Sequence, residues 1–179
     1  MKKIVITGHT NGLGKAMFDY FSKDLNNQVF GFSRSTGYNI KEPAKRKEIT
    51  EFSKDADIFV NNADTYNDIS QLALLRDMFQ LWKGQNKLII NLSTTATHAT
   101  VPNTYSFLKR GLDEFCSQKI FELPHIMNLK PGWVMVDRVK ADIGDKPHMV
   151  TDEFIEILDY CLKSPVKVRN ITFFKSADA

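Results

Sequence analysis

Tyr105 and Lys109 are the two side chains of this sequence best suited to proton chemistry. The stretch 103–121 has the periodicity of a helix, and a separation of four residues places the phenol and the ammonium on the same helix face. A free tyrosine has a pKa of about 10, and a neighbouring cation favours the phenolate and lowers that pKa. The spacing therefore predicts that Tyr105 can act as an acid or a base near neutral pH.

Three hydroxyl side chains, Ser93, Thr94 and Thr95, follow the apolar stretch 88–92, which is typical of a buried strand. A tyrosine four residues before a lysine carries little weight by itself, because such pairs are common on exposed helix surfaces. A hydroxyl at the end of the preceding strand changes this, since it could polarise the carbonyl group that Tyr105 protonates. The combination favours a catalytic role.

A glycine-rich turn joins the apolar stretch 3–7 to an amphipathic helix. The turn consists of Gly8, His9, Thr10, Asn11, Gly12, Leu13 and Gly14. Gly8 permits a tight turn, Gly12 leaves room for a phosphate, and Gly14 lets the helix pack closely on the strand. The free amides and the positive end of the helix then face the anion. The pattern predicts that this turn binds the pyrophosphate of a dinucleotide.

The end of the second predicted strand indicates which dinucleotide is bound. An acidic residue here would bind the ribose 2′-hydroxyl of NAD, whereas a cation would favour the 2′-phosphate of NADP. The sequence has Ser33 and Arg34 at this point, without an acid. Because a guanidinium matches the geometry of a phosphate, we expect NADP, with NAD as the less favoured cofactor. The alternative is that Arg34 is an exposed arginine without a ligand.

Short apolar stretches alternate with segments of helical period along the chain of 179 residues. Six stretches are predicted strands: 3–7, 28–33, 58–61, 88–92, 126–129 and 171–174. Continuous apolar strands of this length are typical of parallel sheets that are covered on both faces. The alternation predicts an α/β fold, a three-layer doubly wound parallel sheet of the Rossmann type, as a single domain spanning residues 1–179.

Composition argues against several classes of protein. No apolar run approaches about 18 residues, and the apolar start after Lys3 is too short for a secretory signal, so we expect a cytoplasmic protein without membrane contact. The net charge of +3 is small, and the basic residues in 41–47 are interleaved with glutamates, which is typical of a solvated helix face and not of a nucleic-acid surface. Cysteines and histidines lack metal-ligand spacing, so we expect no metal site.

The sequence resembles the short-chain dehydrogenase/reductase family in three features taken together. They are the glycine turn, the strand end 61–63, and the pair of Tyr105 and Lys109. The similarity is to the subtype with a TGxxxGxG turn and a YxxxK pair, and it extends over residues 4 to about 132. The resemblance implies an enzyme that transfers a hydride between a nicotinamide cofactor and a carbonyl or alcohol substrate. In such an enzyme Tyr105 would be the proton donor.

The resemblance also assigns residues to the cofactor. Lys109 would bind the nicotinamide ribose and lower the pKa of Tyr105. Asn62 and Ala63 would line the adenosine pocket. Pro131 and Gly132 would bracket the nicotinamide, and Val134 would also contact the cofactor.

The sequence departs from the family pattern at several positions. The stretch 38–40 looks like the family's next strand but follows Arg34 almost at once, so the usual helix between them would be absent. Asn39 stands where an adenine-contacting aspartate is usual and would take over that contact. Asp64 replaces the glycine of the NNAG strand end, and Val136 replaces a threonine after the Pro-Gly pair. The sequence identifies no counterpart for the family's active-site asparagine.

Several assignments have two alternatives. Alignment of the strand ends favours Thr94 as the catalytic hydroxyl, whereas the distance along the chain to Tyr105 favours Ser93. His98 could touch a substrate or be merely solvated, and Trp133 could form a pocket wall or pack in the core.

The sequence therefore predicts an NADP-dependent oxidoreductase acting on a small carbonyl or alcohol compound. The alternative is a catalytically degenerate NADP-binding regulatory or sensor protein, which the departures from the family pattern would favour. The resemblance further suggests a homodimer or homotetramer.

Overall fold

The computed structural model describes residues 1–100 and 103–176, and this part of the chain contains one sheet of six strands. The strands are β1 Lys2–Thr7, β2 Asn27–Phe32, β3 Ile58–Asn61, β4 Leu88–Leu92, β5 His125–Pro131 and β6 Asn170–Phe173. All pairings are parallel, and the order across the sheet is β2-β1-β3-β4-β5-β6. The predicted doubly wound parallel sheet is confirmed, with strand bounds within about two residues of those expected.

Helices cover both faces of this sheet. Their bounds are α1 Gly12–Ser22, α2 Pro43–Phe52, α3 Ser70–Leu81, α4 Thr104–Gln118, α5 Lys140–Ile143 and α6 Thr151–Lys163. Helices α1 and α6 pack together on one face, while α2 contacts α3 and α3 contacts α4 on the other. The three-layer architecture is therefore as predicted. In the described ranges, no helix is both long enough and apolar enough to span a bilayer.

The central strand β1 explains why both faces need a covering layer. Ile4 and Ile6 are fully buried in the core that includes Phe154 of α6, while Val5 between them is fully buried in the core that includes Leu74 of α3. Burying a side chain of this size stabilises the fold by about 1.5–3 kcal/mol. Because successive side chains of a strand point to opposite faces, a continuous apolar strand requires helices on both sides.

The stretch 38–40 is not a strand, so this expectation was wrong. The chain leaves β2 through the 3-10 turn Arg34–Thr36, which Gly37 ends with a left-handed φ of 88°. Ile40 is then buried, and its carbonyl accepts a hydrogen bond from Arg46 Nη1 at 2.6 Å. An aromatic and a β-branched residue flanking a polar one have the alternation of a half-buried strand, which is why the pattern misled. The chain passes from β2 to β3 through α2.

Four asparagines form what we term the asparagine ladder. They occupy paired positions on β3, β4, β5 and β6, and they are Asn61, Asn91, Asn128 and Asn170. The side-chain NH2 groups of the first three each donate to the amide oxygen on the next strand, over distances of 2.9, 2.8 and 3.1 Å in that order. The first three side chains are fully buried. Because a buried amide is costly unless it is paired, the ladder ties the four strands to one register.

Replacing Asn91 with alanine is expected to lower the free energy of unfolding by about 2–3 kcal/mol, because the buried oxygen of Asn128 loses its donor. Urea unfolding followed by circular dichroism measures the change. The matched control is Asn26→Ala, at an exposed turn before β2, which should change stability by less than about 0.5 kcal/mol. Equal losses in the two variants would show that the ladder does not stabilise the sheet.

Candidate functional site

The candidate site lies at the carboxyl ends of the strands, where the strand order reverses between β1 and β3. The connections leave these neighbouring strands in opposite directions, and this opens a crevice at their ends. The side-chain amide of Asn62 donates to the carbonyls of Thr7 and Gly8 at 3.0 and 3.3 Å. The Thr7 hydroxyl in turn accepts from the backbone amides of Asn62 and Ala63, both at 3.1 Å. These bonds fix the end of β3 to the glycine turn.

The glycine turn connects β1 directly to α1. Gly8 has a φ of 73°, a conformation that other residues rarely adopt. A Cβ on Gly14 would overlap the carbonyl oxygen of Gly8, so only glycine allows α1 to approach the turn this closely. The N-cap Asn11 makes no side-chain capping bond, which leaves the first amides of α1 available to an anion. These features fit a bound pyrophosphate.

The segment after β5 lies over the glycine turn. A Cβ on Gly12 would be only 3.6 Å from the side chain of Val136. The segment is held by backbone hydrogen bonds from Met135 to Met149 at 2.7 Å and from Met149 to Trp133 at 2.9 Å. Val134, which was expected to contact the cofactor, has its side chain buried in the core with Met149. A contact from Val134 to a cofactor could therefore involve only its backbone.

The end of β2 is joined to the glycine turn by hydroxyl groups. Ser35 donates a hydrogen bond to the hydroxyl of Thr10 at 3.1 Å, and the hydroxyls of Ser35 and the buried Ser33 are 2.9 Å apart. Arg34 between them is exposed, and the half-buried Asn39 follows along the same edge. Arg34 thus directly precedes a residue that is hydrogen-bonded to the glycine turn.

Tyr105 and Lys109 project from the first turns of α4. The side chain of Asn103 accepts from the Ser106 amide at 2.8 Å, and the Ser106 hydroxyl accepts from the Asn103 amide at 2.9 Å. This reciprocal capping box fixes the start of the helix. The Nζ of Lys109 lies 5.5 Å from the centre of the Tyr105 ring. The phenol and the ammonium are brought together, as their spacing predicts.

Lys109 is almost fully buried, with 4% of its surface exposed, and several acceptors hold its charge. Its Nζ donates to Gln71 Oε1 at 2.6 Å and to the Leu92 carbonyl at 3.2 Å. Asp64 Oδ2 lies 3.3 Å from the same nitrogen. A buried ammonium requires partners of this kind. The aspartate that replaces the family's glycine is therefore an ion-pair partner of the lysine.

Gln71 is a site residue that the sequence did not identify. Its side-chain amide donates to the carbonyls of Asn61 and Leu92 at 3.0 and 2.9 Å, while its oxygen accepts from Lys109. One side chain thus connects the ends of β3 and β4 to the lysine. The signal in the sequence was a glutamine one helical turn before Leu75, on the buried face of α3. A polar side chain in such a position needs hydrogen-bond partners.

The loop between β3 and α3 contacts Tyr105. The ring centres of Tyr66 and Tyr105 are 5.2 Å apart, and Tyr66 has a left-handed φ of 62°, which is uncommon for a bulky residue. Asp68 anchors the loop by accepting hydrogen bonds from the Ser70 amide at 2.7 Å and the Thr65 hydroxyl at 2.5 Å. Burial alone would raise the pKa of Asp68, but these bonds and a nearby lysine lower it to about 2. The anchor therefore stays ionised near neutral pH.

The hydroxyls of Ser93 and Thr94 have different surroundings. Thr94 Oγ1 accepts from the Ala96 amide at 3.2 Å and caps the 3-10 turn Thr95–His98. Ser93 Oγ is buried and has no hydrogen-bond partner among the residues described. Buried hydroxyls without a partner are rare in folded proteins, and Ser93 Oγ keeps a hydrogen-bonding capacity that Thr94 Oγ1 uses in capping the turn.

A pocket of about 460 Å³ opens at the ends of β4, β5 and β6. Thr95, which follows Ser93 and Thr94, lines it together with the aromatic residues Trp133 and Phe174. Gly132, directly after Pro131 at the end of β5, lies against Phe174, since a Cβ there would be 2.7 Å from the Phe174 Cβ. Trp133 is 39% exposed and is a pocket wall.

Comparison with solved structures identifies the architecture. A 4-hydroxyisoleucine dehydrogenase complexed with NADH has a TM-score of 0.80 and 13% identity over 98% of this chain and 98% of that chain. A 3-alpha-hydroxysteroid dehydrogenase from Pseudomonas sp. complexed with NADH has a TM-score of 0.78 and 14% identity over 99% and 97%. A short chain dehydrogenase from Burkholderia cenocepacia in complex with NADP has a TM-score of 0.79 and 15% identity over 99% and 89%. The chain has the short-chain dehydrogenase fold.

This similarity is one of structure, because no protein-family model and no curated protein sequence matches the chain. Within the short-chain dehydrogenase fold, the glycine turn follows β1, Ser93 follows β4, and Tyr105 and Lys109 lie on α4. In the described part of the chain, no cluster of three His, Cys, Asp or Glu side chains could hold a metal ion.

Proposed function

We propose that the protein is an NADP-dependent oxidoreductase that transfers a hydride between its cofactor and a carbonyl or alcohol substrate. The proposal rests on one observation: Tyr105, with the Nζ of Lys109 5.5 Å from its ring, stands at the same edge of the sheet as the glycine turn. The fold supports it, because the three structures named above are dehydrogenases complexed with NADH or NADP.

The proposed cofactor site follows the ends of the strands. The uncapped amides at the start of α1 would bind the pyrophosphate, and Arg34 beside them would bind the 2′-phosphate of NADP. Asn62 and Ala63 would line the adenosine pocket, where they are already fixed to β1. Pro131 and Gly132 would bracket the nicotinamide at the end of β5.

In the reduction of a carbonyl compound, the cofactor would supply the hydride and residues of the chain would supply the proton and the hydrogen bonds. The nicotinamide, when bound, supplies the hydride that the carbonyl carbon accepts. Ser93 donates a hydrogen bond to the carbonyl oxygen, and Tyr105 transfers its proton to that oxygen, so the product is an alcohol and NADPH has become NADP⁺. Lys109, held by Gln71 and Asp64, keeps a positive charge beside the phenolate that remains.

The proposal is tested by following NADPH oxidation with purified protein and a panel of aldehydes and ketones. Consumption of NADPH that depends on the carbonyl compound, with formation of the matching alcohol, is the expected result. The alternative, a cofactor-binding regulatory or sensor protein, would bind NADPH and consume it with no member of the panel. Binding alone does not separate the two functions, so alcohol formation is the deciding measurement.

Arg34→Ala is expected to raise the Kd for NADPH about tenfold or more while leaving the Kd for NADH unchanged, because only NADPH carries the phosphate that the guanidinium would bind. Isothermal titration calorimetry with each cofactor measures both constants. Arg76→Ala, at an exposed arginine on α3, is the matched control and should affect neither. An unchanged NADPH affinity in Arg34→Ala would leave Arg34 as a surface residue.

Ser93→Ala is expected to lower kcat about a hundredfold, because it removes a hydrogen-bond donor from the carbonyl oxygen in the transition state. Thr94→Ala should lower kcat less than about tenfold, since the Thr94 hydroxyl caps a turn. Steady-state turnover of a common substrate compares the two variants. A larger loss in Thr94→Ala would reverse the assignment of the catalytic hydroxyl.

A homodimer or homotetramer and a cytoplasmic location stay predictions from the sequence. Light scattering of the purified protein measures the first directly.

A further inference from the structure

We infer that the pocket at the ends of β4, β5 and β6 binds a substrate that carries a carboxylate, and that Lys146 recognises this group. The inference rests on the proposed function, because it names the substrate class of the same site. Its evidence is the position of the pocket, the sign of the charges around it, and the way in which Lys146 is held.

The position of the pocket connects it to the proposed chemistry. Thr95, at the end of β4, and Gly132, at the end of β5, both line the pocket. Gly132 follows the strand end where the nicotinamide is proposed to lie. A molecule in the pocket would therefore lie next to the proposed nicotinamide site. A volume of about 460 Å³ is in the usual range for a small-molecule site.

The charged side chains that line the pocket are basic. They are Lys146 and Lys175, and the imidazole of His98 also lines the pocket. Among the described residues, no carboxylate lines the pocket. Lys175 is paired with Glu153 at 2.8 Å, which largely compensates its charge. Lys146 donates instead to the backbone carbonyl of Asp142 at 2.8 Å, a neutral acceptor. The charge of Lys146 is thus the one that a ligand anion can pair with.

Lys146 is also held against an apolar wall. Its Nζ lies over the Trp133 ring, 4.7 Å from the ring centre, within the range of a cation–π contact. Phe174 and Thr95 also line the pocket. An apolar wall with one ammonium suits a compound with an apolar body and a single negative charge. Phosphate groups are usually bound by several donors or by a helix N-terminus, which favours a carboxylate here.

The test compares each of two keto acids with its own methyl ester. The probes are benzoylformate and levulinate, with methyl benzoylformate and methyl levulinate as neutral counterparts, titrated calorimetrically with and without NADP⁺. We expect the protein to bind each acid about tenfold or more tightly than its ester. Lys146→Gln should abolish that preference by weakening the acids about tenfold, with the affinity for the esters unchanged.

Two comparisons isolate the role of Lys146. Lys23→Gln removes the same charge at the exposed end of α1 and should keep the preference for acids. The Kd for NADPH should be the same in Lys146→Gln as in the unmodified protein, which separates a substrate contact from a cofactor contact. Absence of an acid preference in the unmodified protein, its persistence in Lys146→Gln, or an equal loss of NADPH affinity would each overturn the inference.

The outcome is independent of the redox assay. An acid preference that depends on Lys146, without NADPH oxidation by any carbonyl compound, would support the carboxylate pocket and defeat the proposed oxidoreductase. Oxidation of NADPH with neutral ketones, in the absence of an acid preference, would support the oxidoreductase and defeat the carboxylate pocket.

Discussion

Tyr105→Phe is expected to lower kcat about a thousandfold while leaving the Kd for NADPH unchanged, because the variant loses the proton donor and keeps the ring. The variant keeps the aromatic ring, whose centre lies 5.2 Å from that of the Tyr66 ring. Steady-state kinetics gives kcat, and calorimetric titration gives the affinity for NADPH.

The matched control is Tyr160→Phe, which removes a hydroxyl from an exposed tyrosine on α6. Its turnover should equal that of the unmodified protein. If Tyr105→Phe retained normal turnover, another group would have to supply the proton, and the central assignment of the proposed function would be wrong. If its affinity for NADPH fell in parallel with kcat, Tyr105 would act chiefly in binding.

Lys109→Met should have the largest effect on stability, a loss of about 3–5 kcal/mol in the free energy of unfolding. The reason is that the carboxylate of Asp64, whose side chain is only 11% exposed, would be left buried beside an apolar side chain. The oxygen of Gln71 would lose its donor as well. Urea unfolding measures the loss. The comparison is Lys163→Met, which breaks an exposed ion pair with Asp159 and should cost less than about 1 kcal/mol.

A second substitution separates stability from catalysis. In the double variant Lys109→Met with Asp64→Asn, the buried charge is gone from both positions, so part of the lost stability should return. Turnover should stay low, because the ammonium beside Tyr105 is still absent. Recovery of turnover together with stability would mean that Lys109 serves only to neutralise Asp64.

Local patterns in the sequence were sufficient to predict the architecture of the fold. An apolar run such as 88–92 has few alternatives to a strand buried on both faces, and the glycine turn directly after β1 fixes where the first helix starts. The pair of Tyr105 and Lys109 could be predicted for the same reason, since positions four residues apart meet on any α-helix. Signals of this kind depend on neighbouring residues and on the period of one element.

Contacts between distant elements could not be predicted in this way. Gln71 and Lys109 are far apart in the sequence, and nothing in their local patterns indicates that the amide oxygen of one meets the ammonium of the other. Asp64 was noticed only as a departure from a glycine, although it pairs with the lysine. The choice between Ser93 and Thr94 likewise required the geometry of the following turn, which engages one hydroxyl and leaves the other.

The asparagine ladder affects how this protein tolerates changes in the helices and loops that connect its strands. The alignment of β3, β4, β5 and β6 is supported by hydrogen bonds between side chains inside the sheet. Insertions, deletions or new chain ends in those connections therefore need not disturb which residues face each other. Asn61 also donates to the backbone carbonyl of Gln71, so the same polar row that aligns the strands supports the residue that holds Lys109. Divergence at the periphery of the molecule can thus proceed while the candidate site keeps its geometry.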